Sequence, residues 1–196
     1  MTMKSNGETR ARAPPEPDRS QVRRPIRALR FEGTSRAPAG AVYDLLADLR
    51  SHLEWAGARQ LETTRLLTME APSGQAVVGT EFVTTGSDGK VARFSDRSVV
   101  TEALPPTVFE FVTESRRQGK PGSAPWKLTL VHRYEVAAEP TGCRIVYTEE
   151  ITRMTGAPKA FVLPGLRRLI FRVAAKYMRR GFDALIAMAE ERSGLR

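Results

Sequence analysis

A run of six consecutive strand-like segments between residues 59 and 152 constrains the fold of this chain more than any other sequence feature. The segments are RQLETTRLLTME, QAVVGTEFVTTG, KVARFSDRSVVTEA, TVFEFVTES, WKLTLVHRYEVAA and CRIVYTEEIT. Turn-forming stretches such as APSG, SDG, LPP and EPTG separate them. Because consecutive strands joined by short turns pair as hairpins, this region predicts an antiparallel meander rather than the βαβ units of an α/β protein.

Alternation within these segments predicts that the sheet has one buried face and one face in water. In FEF, Phe109 and Phe111 share a face and Glu110 takes the other. In WKLTLVHRYEV, every second residue from Trp126 to Val136 is apolar or aromatic, with a single histidine among them. The buried face needs a cover, which the rest of the chain must supply.

Helical patterns flank the strands on both sides. A strand over residues 26–33 precedes Ser35 and Pro38, which suit the start of a short helix. After Pro158 one helix runs almost to the end of the chain. Its predicted sheet-facing stripe, at steps of three and four, is Leu166, Ile170, Val173, Tyr177, Gly181, Ala184 and Met188. The order predicts an α+β fold in which this helix covers a curved antiparallel sheet.

Several phrases, in this order, resemble the START-like or Bet v 1-like superfamily, also described as SRPBCC or polyketide cyclase/dehydrase proteins. They are APAGAVYDLLADLRSHLEW, VVGTEF, VVTEALPPTVFEFVT and GCRIVYTEE. The resemblance implies a helix-grip domain over residues 26–196, with about seven antiparallel strands wrapped around the C-terminal helix and two short helices after the first strand. The superfamily includes binding proteins, lipid carriers, cyclases and hydrolases, so the fold does not fix the function.

The resemblance also implies a deep, mostly apolar cavity between the concave face of the sheet and the long helix. Strand alternation and the helical period select the side chains that would face it. The predicted ligand-binding residues are Trp55, Phe82, Phe94, Phe109, Phe111, Trp126, Leu128, Leu130, Tyr147, Ile170, Val173 and Tyr177. A solidly packed core requires the same residue types at the same positions, so both interpretations fit the pattern.

Four polar residues on the same inward faces are the candidate catalytic groups: Asp96, His132, Tyr134 and Glu149. A buried carboxylate costs free energy unless it is paired, so these side chains are predicted to meet inside the grip. A histidine beside a carboxylate can act as a general base, and a tyrosine hydroxyl can hold an enolate oxygen. That is the chemistry of a polyketide aromatase/cyclase or dehydratase. An internal hydrogen-bond network without catalysis also fits this pattern.

The segment LADLRSHLEWAG at residues 46–57 is predicted to close one end of the grip. The short helix is expected to end near Leu49, and Trp55 to pack between the helices and the rim of the sheet. Its indole N–H needs a hydrogen-bond partner, which a rim offers more easily than a dry core. His52 is expected at the surface.

A basic stripe on the long helix suggests a third function, lipid handling at a membrane. The stripe comprises Arg168, Arg172, Lys176 and Arg179. Residues 167–180 contain six basic residues and no acidic residue, beside Phe171, Met178 and Phe182. A basic amphipathic helix can lie on an anionic membrane, and a solvated helix face has the same pattern.

Composition excludes several other classes. With one cysteine, Cys143, and two separated histidines, neither a disulfide nor a metal site is expected. The sequence lacks a glycine-rich phosphate loop, which argues against a nucleotide cofactor, and it lacks the G-x-S-x-G turn of serine hydrolases. No cofactor is predicted. Residues 1–25 are predicted to be a disordered, basic, proline-rich tail. The net charge is +9, but this tail has no aromatic residue on which bases could stack, so no specific nucleic-acid partner is predicted.

The primary hypothesis is therefore the binding or transport of a small hydrophobic molecule, such as a lipid, a polyketide or an aromatic compound, in the cavity. The polyketide aromatase/cyclase or dehydratase is the alternative, and membrane lipid handling is a second alternative. The chain lacks an apolar run of 18 residues and an apolar leader, so a cytoplasmic location is expected.

Overall fold

One seven-stranded antiparallel sheet forms the frame of the protein. The computed structural model describes residues 25–58, 65–88, 92–119, 122–161 and 163–195, so the predicted tail over residues 1–25 lies outside the described residues apart from its last position. The strands are β1 (Arg27–Ser35), β2 (Arg65–Glu70), β3 (Glu81–Asp88), β4 (Ala92–Leu104), β5 (Val108–Gln118), β6 (Trp126–Glu139) and β7 (Gly142–Thr155). Their spatial order is β1-β7-β6-β5-β4-β3-β2.

Two α-helices and three short helical turns complete the described chain. They are α1 (Ala39–Ala47), a 3-10 turn (Leu49–Ser51), a π-helical turn (Leu53–Ala58), a second 3-10 turn (Lys159–Phe161) and α2 (Pro164–Arg192). Consecutive strands from β2 to β7 pair as hairpins, and β1 pairs antiparallel with β7. The predicted α+β helix-grip fold is confirmed.

The inward face of the sheet is divided between two apolar clusters. The larger cluster lies under α1 and the second half of α2, where Phe109, Leu46, Ile145 and Leu185 are fully buried. The smaller cluster comprises Ala92, Trp126, Leu128, Leu130, Ile151 and Phe171. Alternate residues of β6 therefore share one face, as predicted, but those near its start and those near its end pack in different clusters.

The first half of α2 meets the sheet with a different stripe from the one predicted. Leu166 and Val173 are exposed, whereas Phe171 is buried. The smaller cluster offers α2 only a limited apolar surface in this region, and the Phe171 ring occupies it. In the second half, Met188 of the predicted stripe is buried in the larger cluster. No helix in the described ranges has the length and hydropathy needed to cross a bilayer.

Candidate functional site

A cavity of about 180 Å³ lies between the inward face of the sheet, the π-helical turn and α2. Its walls combine aromatic rings, small hydroxyl side chains and two histidines. The lining residues are His52, Trp55, Ala56, Leu66, Met69, Phe82, Thr84, Asp96, Ser98, Phe111, Thr113, His132, Tyr134, Tyr147, Met178, Gly181 and Phe182. The cavity is thus apolar in its bulk, with polar groups gathered on strands β3 to β7.

Three side chains on β6 and β7 form a hydrogen-bonded cluster, which we call the relay: His132, Tyr147 and Glu149. The Tyr147 hydroxyl lies 2.8 Å from His132 Nδ1 and donates to Glu149 Oε2 at 3.3 Å. His132 Nδ1 and Glu149 Oε2 are 3.5 Å apart. The strand register explains the cluster, because His132 lies directly opposite Glu149 and Tyr147 is two residues before Glu149 on the same face.

Aromatic stacking fixes the orientation of the relay. The His132 ring stacks on Phe111, its neighbour on β5, with 4.6 Å between centroids. The Tyr134 ring stacks on Tyr147 at 4.5 Å. Both tyrosines are buried, and burial together with the Glu149 charge raises the pKa of each hydroxyl. The two hydroxyls therefore keep their protons and act as hydrogen-bond donors.

Burial sets the protonation states around the cavity. It raises the pKa of Glu149 to about 7, with a further rise from the Asp96 charge, although Arg117 and the Tyr147 hydrogen bond oppose it. It lowers the pKa of His132 to about 3, and the neighbouring charges of Arg117 and His52 act in the same direction. Near neutral pH the imidazole of His132 is therefore uncharged, while Glu149 exchanges its proton readily.

His52 and Trp55 form the opposite wall. His52 is buried rather than at the surface, because its Nε2–H donates to the Leu46 carbonyl at 2.9 Å and draws the ring inward. Burial lowers its pKa to about 4. Trp55 is also buried and lies 4.6 Å from the His52 ring, centroid to centroid. Its Nε1 has no hydrogen-bond partner within the described residues, in contrast to the expectation for a rim position.

Small polar side chains from β3, β4 and β5 line a third wall. Ser98 and Thr113 lie on neighbouring strands and are joined by a hydrogen bond of 2.8 Å between their hydroxyl oxygens. Thr84 and Asp96 lie opposite each other on β3 and β4 and face the same cavity. This wall can accept hydrogen bonds from a bound molecule or donate hydrogen bonds to it.

The structure places the predicted catalytic residues close to one another. Asp96, His132 and Tyr134 line the cavity, and Glu149 lies directly behind His132 and Tyr147. Four of the predicted ligand-binding residues also line it: Trp55, Phe82, Phe111 and Tyr147. Residue parity selected all of these side chains except Trp55, because they come from regular parts of the strands.

The other predicted ligand-binding residues lie away from the cavity: Phe94, Phe109, Trp126, Leu128, Leu130, Ile170, Val173 and Tyr177. Phe109 is fully buried edge-on against Tyr43, in solid core. Trp126, Leu128 and Leu130 belong to the smaller cluster. The face of each residue follows from alternation, but its position along the strand decides which cluster it joins.

The remaining residues of α2 and β4 in that prediction lie beside arginine side chains or towards solvent. Phe94 is half-buried beneath the Arg117 guanidinium, and Tyr177 carries the Arg180 guanidinium over its ring. Val173 is exposed and Ile170 is half-buried. The α2 residues that do reach the cavity, Met178, Gly181 and Phe182, lie on or beside the stripe that the helical period assigned to the core.

Several residues that line the cavity were not predicted from the sequence, although strand alternation could have indicated some of them. Thr84 shares parity with Phe82, and Thr113 shares parity with Phe111, so strand alternation indicates both. His52 and Ala56 gave no such signal, because the consecutive 3-10 and π-helical turns that bring them inward have no sequence signature. Within the described ranges, no group of three or more histidine, cysteine or acidic side chains is placed to hold a metal ion.

Comparisons with known proteins support the fold alone. No protein-family model and no curated protein matches the sequence. Among solved structures, an uncharacterised protein from Rhizobium leguminosarum is similar, with a TM-score of 0.59, 14% identity and coverage of 84% of this chain and 95% of that one. The di-domain ARO/CYC StfQ of steffimycin biosynthesis is similar with a TM-score of 0.58 and 15% identity, and the match covers 85% of this chain and 52% of that one. Ara h 8.0201 is similar with a TM-score of 0.53 and 13% identity, and the match covers 84% of this chain and 98% of that one.

Proposed function

We propose that this chain, which has the helix-grip fold of the START-like and Bet v 1-like proteins, binds a small planar hydrophobic molecule that carries a carbonyl or hydroxyl group. The observation that carries the proposal is the cavity, which has aromatic walls and hydrogen-bonding groups on one side. Apolar walls with a few oriented polar groups are typical of ligand sites. The stacked rings of Phe111, His132 and Tyr147 favour a flat ligand.

The size of the cavity limits the ligand. Drug-sized ligands occupy pockets of roughly 300–1,000 Å³, whereas an engineered apolar cavity of about 150 Å³ holds a benzene ring. At about 180 Å³, this cavity matches a molecule of one ring or two fused rings. A complete long acyl chain or a tetracyclic polyketide does not fit inside it, which narrows the ligand classes that the sequence suggested.

Saturable binding of a bicyclic ketone tests the proposal. Trp55 lines the cavity and Trp126 does not, so a Trp126→Phe protein carries one tryptophan that reports on the cavity. We expect 2-tetralone to quench its fluorescence to saturation. In the same background Ala56→Phe fills part of the cavity and is expected to weaken binding about tenfold or more, whereas the matched Ala56→Ser changes it by less than about twofold.

Binding of palmitate, a long-chain fatty acid, is the result that would contradict the proposal. If it binds in the same assay more tightly than 2-tetralone, and Ala56→Phe leaves its affinity unchanged, the site does not select small planar molecules and the proposal fails. Circular dichroism of each variant establishes that a lost signal reflects the cavity and not unfolding.

The relay supports a second candidate function, proton abstraction next to a carbonyl group. With the proton on Nδ1, which faces the Tyr147 hydroxyl and Glu149, His132 has a lone pair on Nε2 to accept a carbon-bound proton. The C–H bond electrons then form an enolate, and the Nδ1 proton passes to the Glu149 carboxylate. Tyr134, with its proton retained, can donate to the enolate oxygen. This step belongs to aldol-type cyclisation and to dehydration.

Hydrogen–deuterium exchange at the α-carbons of 2-tetralone, followed by NMR in D₂O, tests this candidate. We expect the protein to accelerate exchange, and Glu149→Gln or His132→Gln to lower the rate about tenfold or more while 2-tetralone still binds. Glu150→Gln is the matched control, since Glu150 is the adjacent residue on the opposite face of β7. The relay is excluded as a catalyst if the exchange rate with the protein equals the rate in buffer, or if Glu150→Gln lowers the rate as much as Glu149→Gln does.

A further inference from the structure

The first half of α2 presents an apolar arc to solvent. Leu166, Leu169 and Val173 are 41%, 57% and 46% exposed, and Leu163, just before the helix, is 60% exposed. Their spacing of three and four residues places the helical members on one side. Phe171, which lies on the opposite side, is buried in the smaller cluster. The arc therefore has no partner within the described residues, although exposed leucines cost free energy in water.

A row of basic residues runs beside this arc. Arg168, Arg172 and Lys176 are exposed, lie four residues apart and have no acidic partner among the described residues. The chain contains no acidic residue between positions 151 and 182. We call the arc and this row together the α2 surface. Arg179, predicted as part of the same stripe, is instead paired with Asp183 at 2.8 Å, so it is committed within the protein.

We propose that the α2 surface docks on the face of an anionic lipid bilayer. Leu166, Leu169 and Val173 would lie at the boundary between headgroups and acyl chains, and the basic row would contact lipid phosphates and carboxylates. A helix with an apolar arc and a flanking basic row lies in the plane of a membrane interface. The negative surface potential of an anionic leaflet adds attraction for each basic side chain close to it.

Charge complementarity favours a membrane over other occupants. A second copy of the chain would bring a second basic row against the first, and each copy carries a net charge of +9. A nucleic acid would neutralise the arginines but would leave the apolar arc against phosphates and sugar. An anionic bilayer satisfies both parts of the surface. This inference is independent of the ligand proposal, since the α2 surface and the cavity share no residue.

Vesicle co-sedimentation tests the inference. With vesicles of phosphatidylcholine plus about one third phosphatidylserine, at low salt, we expect the full chain to sediment. We expect little binding to phosphatidylcholine alone, and release when the salt concentration rises to 0.5 M. The triple variant Leu166→Gln/Leu169→Gln/Val173→Gln and the double variant Arg168→Glu/Arg172→Glu are each expected to bind about tenfold more weakly.

Matched control variants test whether vesicle binding depends on the α2 surface or on the total exposed apolar area and net charge of the protein. Leu67, Val78 and Leu104 are also exposed, at 52%, 60% and 52%, so changing all three to glutamine removes similar apolar surface elsewhere. Arg93→Glu/Arg116→Glu changes the net charge by the same amount on the sheet. Both controls are expected to sediment like the unmodified chain.

Several outcomes would overturn the inference. One is that the unmodified chain sediments equally with vesicles that lack phosphatidylserine. Others are that the control variants lose as much vesicle binding as the α2 variants, or that both α2 variants bind vesicles as strongly as the unmodified chain. Sedimentation velocity without lipid tests the alternative that the surface mediates self-association. If the unmodified chain is a dimer and the triple variant is a monomer, the α2 surface binds a second copy of the chain. Circular dichroism confirms that each variant is folded, which is expected because every substituted side chain is exposed.

Discussion

Replacing Phe109 with alanine is expected to lower the free energy of unfolding by about 3–5 kcal/mol. Phe109 is fully buried, and its ring lies edge-on to Tyr43 and 6.1 Å from Phe111, centroid to centroid. Truncation removes this packing and leaves a void in the part of the core that joins α1 to the sheet. The main chain of β5 is paired on both sides, so it has little freedom to collapse into that void.

Equilibrium unfolding in urea, followed by circular dichroism and tryptophan fluorescence, measures this loss. Phe94→Ala is the matched control because Phe94 is half-buried and contacts the Arg117 guanidinium at the sheet surface. It is expected to lose about 1 kcal/mol. Equal losses in the two variants would mean that Phe109 lines open space instead of close-packed core.

The free energy of unfolding of the Glu149→Gln variant, compared with that of the unmodified protein, is expected to increase as the pH rises from about 4.5 to about 7. Over this window the folded protein keeps the Glu149 proton, because burial raises its pKa to about 7, while the unfolded chain has released it. The unmodified protein therefore loses stability with rising pH through this group, by about 3 kcal/mol in total. Glutamine has no proton to lose, so the difference between the two proteins grows.

The measured quantity is the difference in unfolding free energy between the two proteins at pH 4.5, 5.5, 6.5 and 7.5. Absolute stabilities also contain the opposite trend from His52 and His132, whose lowered pKa values make the folded state gain stability as the unfolded histidines lose their protons. Glu150→Gln carries the same chemical change on the opposite face of β7. A difference that stays flat for Glu149→Gln would show that Glu149 ionises normally in the folded protein.

Alternation along β6 shows both the reach and the limit of sequence reasoning about this fold. The period of two correctly placed Trp126, Leu130 and Tyr134 on one face, since side chains of a strand must alternate. It could not show that the first two join the smaller cluster and the third borders the cavity. That division depends on where α1 and α2 cross the sheet, which is a long-range property of the packed chain.

The relay was accessible to prediction because it depends on local register. His132 lies opposite Glu149, and the inward parity of both residues is visible in the sequence. The shape of the site was not accessible, because His52 follows a 3-10 turn and Trp55 lies in a π-helical turn, and neither main-chain geometry has a residue signature. The first half of the predicted α2 stripe failed for a related reason: several apolar arcs of that helix are wide enough to face a sheet, and Phe171 packs there while Leu166 and Val173 are exposed. In the second half, Met188 of the predicted stripe is buried in the larger cluster.

The continuity of α2 from Pro164 to Arg192 has a thermodynamic consequence. Met178 and Phe182, which border the cavity, lie on the same uninterrupted helix as Leu169 and Val173, which border solvent. One continuous helix therefore carries both the side chains that border the cavity and the arc that borders solvent. By linkage, any factor by which a surface contact on α2 changes ligand affinity must equal the factor by which the ligand changes that contact's affinity. If both proposals are correct, ligand binding in the cavity and docking of the α2 surface would obey this reciprocity.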